Sequence, residues 1–214
     1  MAEAVGSLKG LMRRAHAPIY RSRMRVLVRE IQRCVWEGAR VLDVGCGSGA
    51  LGRALMDDPE TPAGVRVEGL ERVVREGCEI PVTAYDGGRM PFEDGAFDVV
   101  ILADVLHHEP DPDALLAECA RVSSRLVIIK DHQIRGPLAQ RRVALIDWLA
   151  NAPYGVPCLY RYNTPEGWRA FAARHGLRPD MEHSSMDLYP PVVNLFFGRG
   201  LQYFVALEKR GEGA

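Results

Sequence analysis

V-L-D-V-G-C-G-S-G occupies residues 41–49. Its first four residues are apolar except for Asp43, as suits a strand buried inside a parallel sheet. Gly45, Gly47 and Gly49 then alternate along a turn whose backbone can take positive φ and lets a ligand approach without a Cβ in the way. Residues 50–56 have helix-forming composition. The unit is therefore strand, glycine-rich turn, helix. In an α/β sheet such a turn lies at the carboxyl edge of the strands, where ligands bind. The spacing is G-x-G-x-G and not the G-x-G-x-x-G of a pyrophosphate loop. Asp43 would repel a pyrophosphate, so the ligand is expected to carry a positive group near the turn.

Strand and helix patterns alternate outward from this unit. Before it, Met24, Leu27, Val28, Ile31 and Val35 recur at helical spacing, with Arg25, Arg29 and Arg33 on another face. Basic residues outnumber acidic ones over residues 1–40. That excess reads either as a solvated helix face or as a cap over the site that attracts an acidic substrate. After it, strands are expected over 65–70, 82–85, 97–103 and 126–129, ending at Glu71, Asp86, Ala103 and the run Lys130-Asp131-His132. Helices are expected over 111–122, 137–151 (on Ala139, Val143, Ile146 and Ala150) and 164–175, the last capped by Thr164. Residues 181–186 and 202–207 read as two strands of an antiparallel hairpin at the sheet edge, with no helix between them. The fold class is α/β: a Rossmann-like, mostly parallel sheet with helices on both faces and an antiparallel edge strand. One domain is expected, with an N-terminal helical cap (1–37), a ligand-binding core (38–130), substrate-side helices and loop (131–175) and C-terminal strands (176–214).

The whole chain narrows the possibilities. Its 214 residues suit one domain, and a formal net charge of −1 gives no general attraction to nucleic acid or an anionic membrane. The five cysteines form no C-x-x-C pair and are odd in number, which suggests free thiols in a reducing compartment. No apolar run reaches the roughly 20 residues of a membrane helix, and no signal-peptide core is evident. A cytoplasmic enzyme, monomeric or homodimeric, is expected.

The acidic strand ends fall in order along the sheet edge. Glu71 can accept both hydroxyls of a ribose. Asp86 can accept from an exocyclic amine, with the Gly87 amide beside it. Taken with the turn, these residues resemble class I S-adenosylmethionine-dependent methyltransferases. V-L-D-V-G-C-G-S-G resembles that family's first motif, Gly69-Leu-Glu71 its second, and Tyr85–Val100 its third and fourth. L-H-H-E-P-D-P at 106–112 resembles the segment after the fourth strand in many small-molecule members. The match spans roughly residues 38–130. It implies a seven-stranded sheet and S-adenosylmethionine as cofactor, leaving S-adenosylhomocysteine. It also implies that Asp43, Gly45, Gly47 and Gly49 line the methionine part, with Cys46 packing there. Glu71 would hold the ribose, Asp86 and Gly87 the adenine, Met90 the adenine face, and the Ala103 backbone the amino group.

The acceptor side is less defined. His132, with Asp131 beside it in sequence, and the pair His107 and His108 are the candidates for a general base. Each can equally be a hydrogen-bonded wall of the pocket. Neighbouring residues of a strand point to opposite faces, so Asp131 need not orient His132. His16, His175 and His183 read as surface or structural. No cluster demands a metal, although Asp104, Asp131 and His132 carry ligand atoms. Arg135, Arg141, Arg142, Trp148, Asn151, Tyr154, Tyr160 and Tyr162 could wall an acceptor pocket or form an ordinary packed loop. The expected reaction is O-, C- or N-methylation of a small organic acceptor, as in secondary metabolism. The alternatives are methylation of a macromolecule, a cofactor-binding partner or regulatory subunit without turnover, and a nicotinamide dehydrogenase.

Overall fold

A computed structural model describes residues 18–151 and 158–209. The order is α1 (18–32), β1 (Arg40–Val44), α2 (Ala50–Asp57), β2 (Arg66–Glu71), β3 (Val82–Ala84), β4 (Phe97–Ala103), a 3-10 turn (Leu106–His108), α3 (Pro112–Val122), β5 (Ser123–His132), α4 (Ala139–Asn151), α5 (Pro165–Arg174), β6 (Leu177–His183), α6 (Pro191–Phe197) and β7 (Gln202–Lys209). The seven strands pair in the order β3-β2-β1-β4-β5-β7-β6. All neighbours are parallel except at β7, which runs antiparallel to both β5 and β6.

Alternation along each strand divides the core in two. Val41, Val99, Ile101, Ile128, Phe204 and Ala206 face one side, where Leu27 and Ile31 of α1 and Leu51 and Leu55 of α2 cover them. Leu42, Val44, Val100, Leu102, Val127, Ile129, Tyr203 and Val205 face the other, beneath Leu115, Leu116 and Cys119 of α3 and Trp168 and Phe171 of α5. Both faces of the central strands are buried, which is why their sequences run continuously apolar.

The termini of α3 and α5 are set by local chemistry. Asp111 accepts the Ala114 amide at 3.0 Å and Thr164 accepts the Gly167 amide at 3.0 Å, each just ahead of a proline in the first turn.

The C-terminal part differs from the sequence expectation. β6 starts at Leu177, four residues early, and reaches the outer edge. Arg178, Pro179 and Asp180 face solvent, and the register shifts between Pro179 and Met181. An edge strand with an irregularity tolerates proline and shows little alternation. The two terminal strands are antiparallel neighbours, but α6 lies between them in the chain. Its β-branched and aromatic composition conceals it, and Val192, Leu195 and Phe196 stay exposed.

Candidate active site

The strand order reverses direction between β1 and β4, the place where an open α/β sheet leaves a crevice. A cleft of about 240 Å³ lies there, lined by Asp43 of β1, by Gly45, Cys46, Gly47 and Ser48 of the turn after it, by Ala103 at the end of β4, and by Tyr20, Arg23 and Met24 of α1. The glycine turn is held closely. Gly45 has φ 69°, and a Cβ there would meet Val105 at 2.7 Å. Gly47, at φ 60°, would point a Cβ into open space.

Glu71 ends β2 and turns its carboxylate back on the turn. Oε2 accepts the Gly47 amide at 2.9 Å and Oε1 accepts the Arg72 amide. Asp43 is almost fully buried in the cleft wall. Burial pushes its carboxyl up to about 7; Arg23 opposes the rise and Glu71 adds to it. A cation beside Asp43 would restore the charged form. A concave backbone turn, a half-saturated carboxylate and a carboxylate primed for a cation fit the methionine and ribose parts of S-adenosylmethionine.

Asp86 is exposed and accepts the Gly88 amide. Gly87 faces the Arg72 guanidinium, which pairs with Glu109 at 2.9 Å. These residues continue the edge beyond Glu71. Gly49 is the N-cap of α2, with Ile80 against it. Met90 is buried in the core beside Leu70 and Phe97.

Immediately after Ala103 the cleft wall becomes polar. Asp104 has φ 61°, outside the usual range for a residue with a side chain. Its carboxylate receives Lys130 Nζ at 2.5 and 2.7 Å and Arg23 Nη2 at 2.6 Å. Against burial, these two cations hold Asp104 well below the usual carboxylate range. Lys130 is itself buried, and that burial lowers its ammonium. Arg23 thus anchors α1 across the cleft, while Arg25, Arg29 and Arg33 are exposed to solvent.

A second, fully buried set adjoins the first. His107 Nδ1 lies 2.6 Å from Asp131 Oδ1, and the same oxygen accepts the His132 amide at 2.6 Å. Asp131, on β5, therefore orients the ring of His107 in the turn after β4 and not that of its neighbour His132. Against burial, Asp131 and Asp147 raise His107 to about 10. This makes His107 a poor proton acceptor at neutral pH. Burial lowers His132 to about 4, helped by Lys130 and His107 and opposed by Asp104. His132 is thus neutral, with Gln202 Nε2 at 3.4 Å from Nδ1.

Asp147 is the member that sequence reasoning missed. It sits on α4, and Tyr162 Oη donates to it at 2.5 Å. Against burial, the nearby His107 ring and the hydrogen bond from Tyr162 place it below the ordinary carboxylate range. The available signal was its position four residues after Val143, on the buried face of a helix. Among the described residues of the expected pocket wall, only Asn151 and Tyr162 reach this set. Arg135 bonds Ser184 and Arg142 bonds the carbonyl of Phe196. Arg141, Trp148 and Tyr160 are exposed. His175 pairs with Asp113 and His183 with Glu30, away from the cleft. His16, Tyr154 and residues 152–157 lie outside the described residues.

Sheet order, switch-point cleft and acidic strand ends define a class I S-adenosylmethionine-dependent methyltransferase. The profile of the family described as "Methionine biosynthesis protein MetW" matches residues 25–132, half of the chain. The chain belongs to that family. It is 29% identical over 186 residues to the ubiquinone/menaquinone biosynthesis C-methyltransferase UbiE of Cupriavidus necator, covering 76% of this chain and 75% of that one. It is 36% identical over 108 residues to the ubiquinone biosynthesis O-methyltransferase of Hahella chejuensis, 43% of this chain and 42% of that one. Two solved structures share the fold. One is a methyltransferase of Thermotoga maritima (TM-score 0.67, 16% identity, 97% and 98% of the two chains). The other is the magnesium protoporphyrin IX methyltransferase of Synechocystis with bound S-adenosylhomocysteine (TM-score 0.58, 15% identity, 92% and 87%). Among the described residues, no helix is long and apolar enough to cross a membrane.

Proposed function

We propose that the chain transfers a methyl group from S-adenosylmethionine to a small organic acceptor, on oxygen, carbon or nitrogen. The observation that carries this reading is continuity: the cleft wall passes within one residue from Ala103 to Asp104, and from there to the buried histidines. In the proposal Asp43 faces the cofactor's positive groups, Glu71 takes the ribose hydroxyls, and Asp86 and Gly87 read the adenine. Gly45, Gly47 and Gly49 shape the methionine subsite beside Cys46, and Ala103 presents its carbonyl to the amino group. The bound cofactor supplies an already activated methyl on a sulfonium. The protein's work is then alignment and exclusion of water.

His132 is the proposed proton acceptor, because it is the neutral histidine of the set, though weakly basic through its burial, whereas His107 is engaged by Asp131 and faces Asp147. Arg23, reaching from α1 to Asp104, closes the acceptor side. The relatives are named for quinone biosynthesis, which supports phenols and quinols as the first acceptors to try, ahead of acceptors of secondary metabolism. The test is calorimetric titration with S-adenosylhomocysteine, with NAD as control, followed by a methyl-transfer screen. His132→Ala should lower turnover far more than cofactor affinity. Full activity of that variant would remove His132 from the mechanism.

A second reading is a cofactor-binding partner of another protein. The family description supports it, since it names a biosynthetic pathway and not methyl transfer. Tight S-adenosylhomocysteine binding without turnover on any acceptor would favour it.

A further inference from the structure

We propose that His107, His108 and Asp147 form a site for a divalent transition-metal ion that ties α4 to the segment leaving β4. His107 Nε2 and His108 Nε2 each lie 3.6 Å from Asp147 Oδ1. That is too far for hydrogen bonds. It is close to the separation of two ligands on one ion: ligands about 2.0–2.1 Å from zinc at a tetrahedral angle stand about 3.3 Å apart. One ligand atom from each of the three residues falls within 4.8 Å of the others.

An independent observation comes from His107. Its ring is buried, and Nε2 has no hydrogen-bond partner. Its other nitrogen is fixed by Asp131 at 2.6 Å. A carboxylate on the far nitrogen is how ligating histidines are generally oriented. Asp147 is fixed in the same manner, with Tyr162 on Oδ2 at 2.5 Å and Asn151 on Oδ1 at 2.8 Å. A carboxylate oxygen has two lone pairs, so Oδ1 can serve Asn151 and an ion together.

Charge points the same way. The side chains of Asp131 and Asp147 are essentially inaccessible to solvent. The nearby Lys130 and Arg23 both pair with Asp104. A dication would take the place of the proton on His107 and offset the two buried carboxylates, whose desolvation is otherwise costly. The donor set, two imidazoles and a carboxylate, suits zinc. The Cys158 thiol lies near Asp147, beside the set. Asp104, His107 and Asp131 also cluster, but the two cations on Asp104 make that group a poor host for another.

The experiment uses the full chain after dialysis against a chelator, titrated with cobalt(II) and then zinc(II). We expect one equivalent of cobalt per chain, an intense visible d–d band, and its loss when zinc is added. Asp147→Asn keeps the side-chain shape and its contact with Tyr162, and should weaken zinc at least about 100-fold. His108→Ala should do the same. Asp131→Asn, one step removed from the ion, should weaken it by about 10- to 100-fold. Circular dichroism and S-adenosylhomocysteine affinity establish that each variant is folded; if Asp147→Asn is not, His108→Ala decides. A folded wild-type chain that binds neither ion overturns the proposal. So does zinc affinity unchanged in the folded Asp147→Asn or His108→Ala chains, which would assign the ion to the free thiols elsewhere.

Discussion

Glu71 Oε2 accepts the Gly47 amide at 2.9 Å, so the last residue of β2 holds the tip of the turn that follows β1. One carboxylate thereby shapes the turn and faces the position proposed for the ribose. Removing a hydrogen bond to a charged group costs about 1.5–3 kcal/mol. Glu71→Ala should therefore weaken S-adenosylhomocysteine by about 10- to 150-fold in calorimetry. Unchanged affinity would refute the ribose assignment.

Gly45 and Gly47 separate folding from binding. A methyl at Gly45 collides with Val105, and one at Gly47 meets no protein atom within 4 Å. Both positions have positive φ, which costs a non-glycine residue about 1–2 kcal/mol. Gly47→Ala should lose only about that much in denaturant titration yet bind the cofactor poorly. Gly45→Ala should lose more stability. Normal cofactor affinity in Gly47→Ala would show that the ligand lies elsewhere.

Asp43 gives the site a pH dependence. With its carboxyl near 7, a cationic ligand that needs the charged form must displace a proton at lower pH. Binding should be about tenfold weaker at pH 6 than at pH 8, with nearly one proton released at pH 6. Calorimetry in buffers of different ionisation enthalpy measures that proton, and Asp43→Asn should abolish it. The same shift acts on folding with the opposite trend. The unfolded carboxyl ionises first, so this residue's contribution to stability is present below about pH 4 and is lost as pH rises through about 7.

Asp104 balances two cations, one of them fully buried. Asn tolerates left-handed backbone, so Asp104→Asn removes the charge with little added strain. Breaking a buried ion pair by deleting one partner costs about 3–5 kcal/mol. Denaturant unfolding should show a loss of that order, reduced in the double variant that also carries Lys130→Met. A loss below about 1 kcal/mol would mean that Lys130 sheds its proton.

Where periodicity and turn chemistry act locally, the sequence was readable. The first strand, read over 41–44 and found over Arg40–Val44, the cap at Thr164 and the apolar stripe through Leu27 and Ile31 follow from local pattern alone. The acidic strand ends were readable for a similar reason, since a parallel sheet brings every carboxyl end to one edge. The partner of His107 was not. Asp131 and Asp147 converge on it from β5 and α4, and no local pattern encodes a meeting of three distant segments. The helix α6 was hidden because its residues favour strands and its outer face stays apolar.

Arg23 has a consequence for timing. The cleft is walled on one side by Tyr20, Arg23 and Met24, and the Arg23–Asp104 pair pins that wall to the sheet. A ligand the size of a nucleoside reaches the turn at Gly47 most readily while the pair is open. Association should then be paced by the opening of a helix, and the closed pair should slow escape. Occupancy would be legible from outside as protection of residues 18–32 against limited proteolysis.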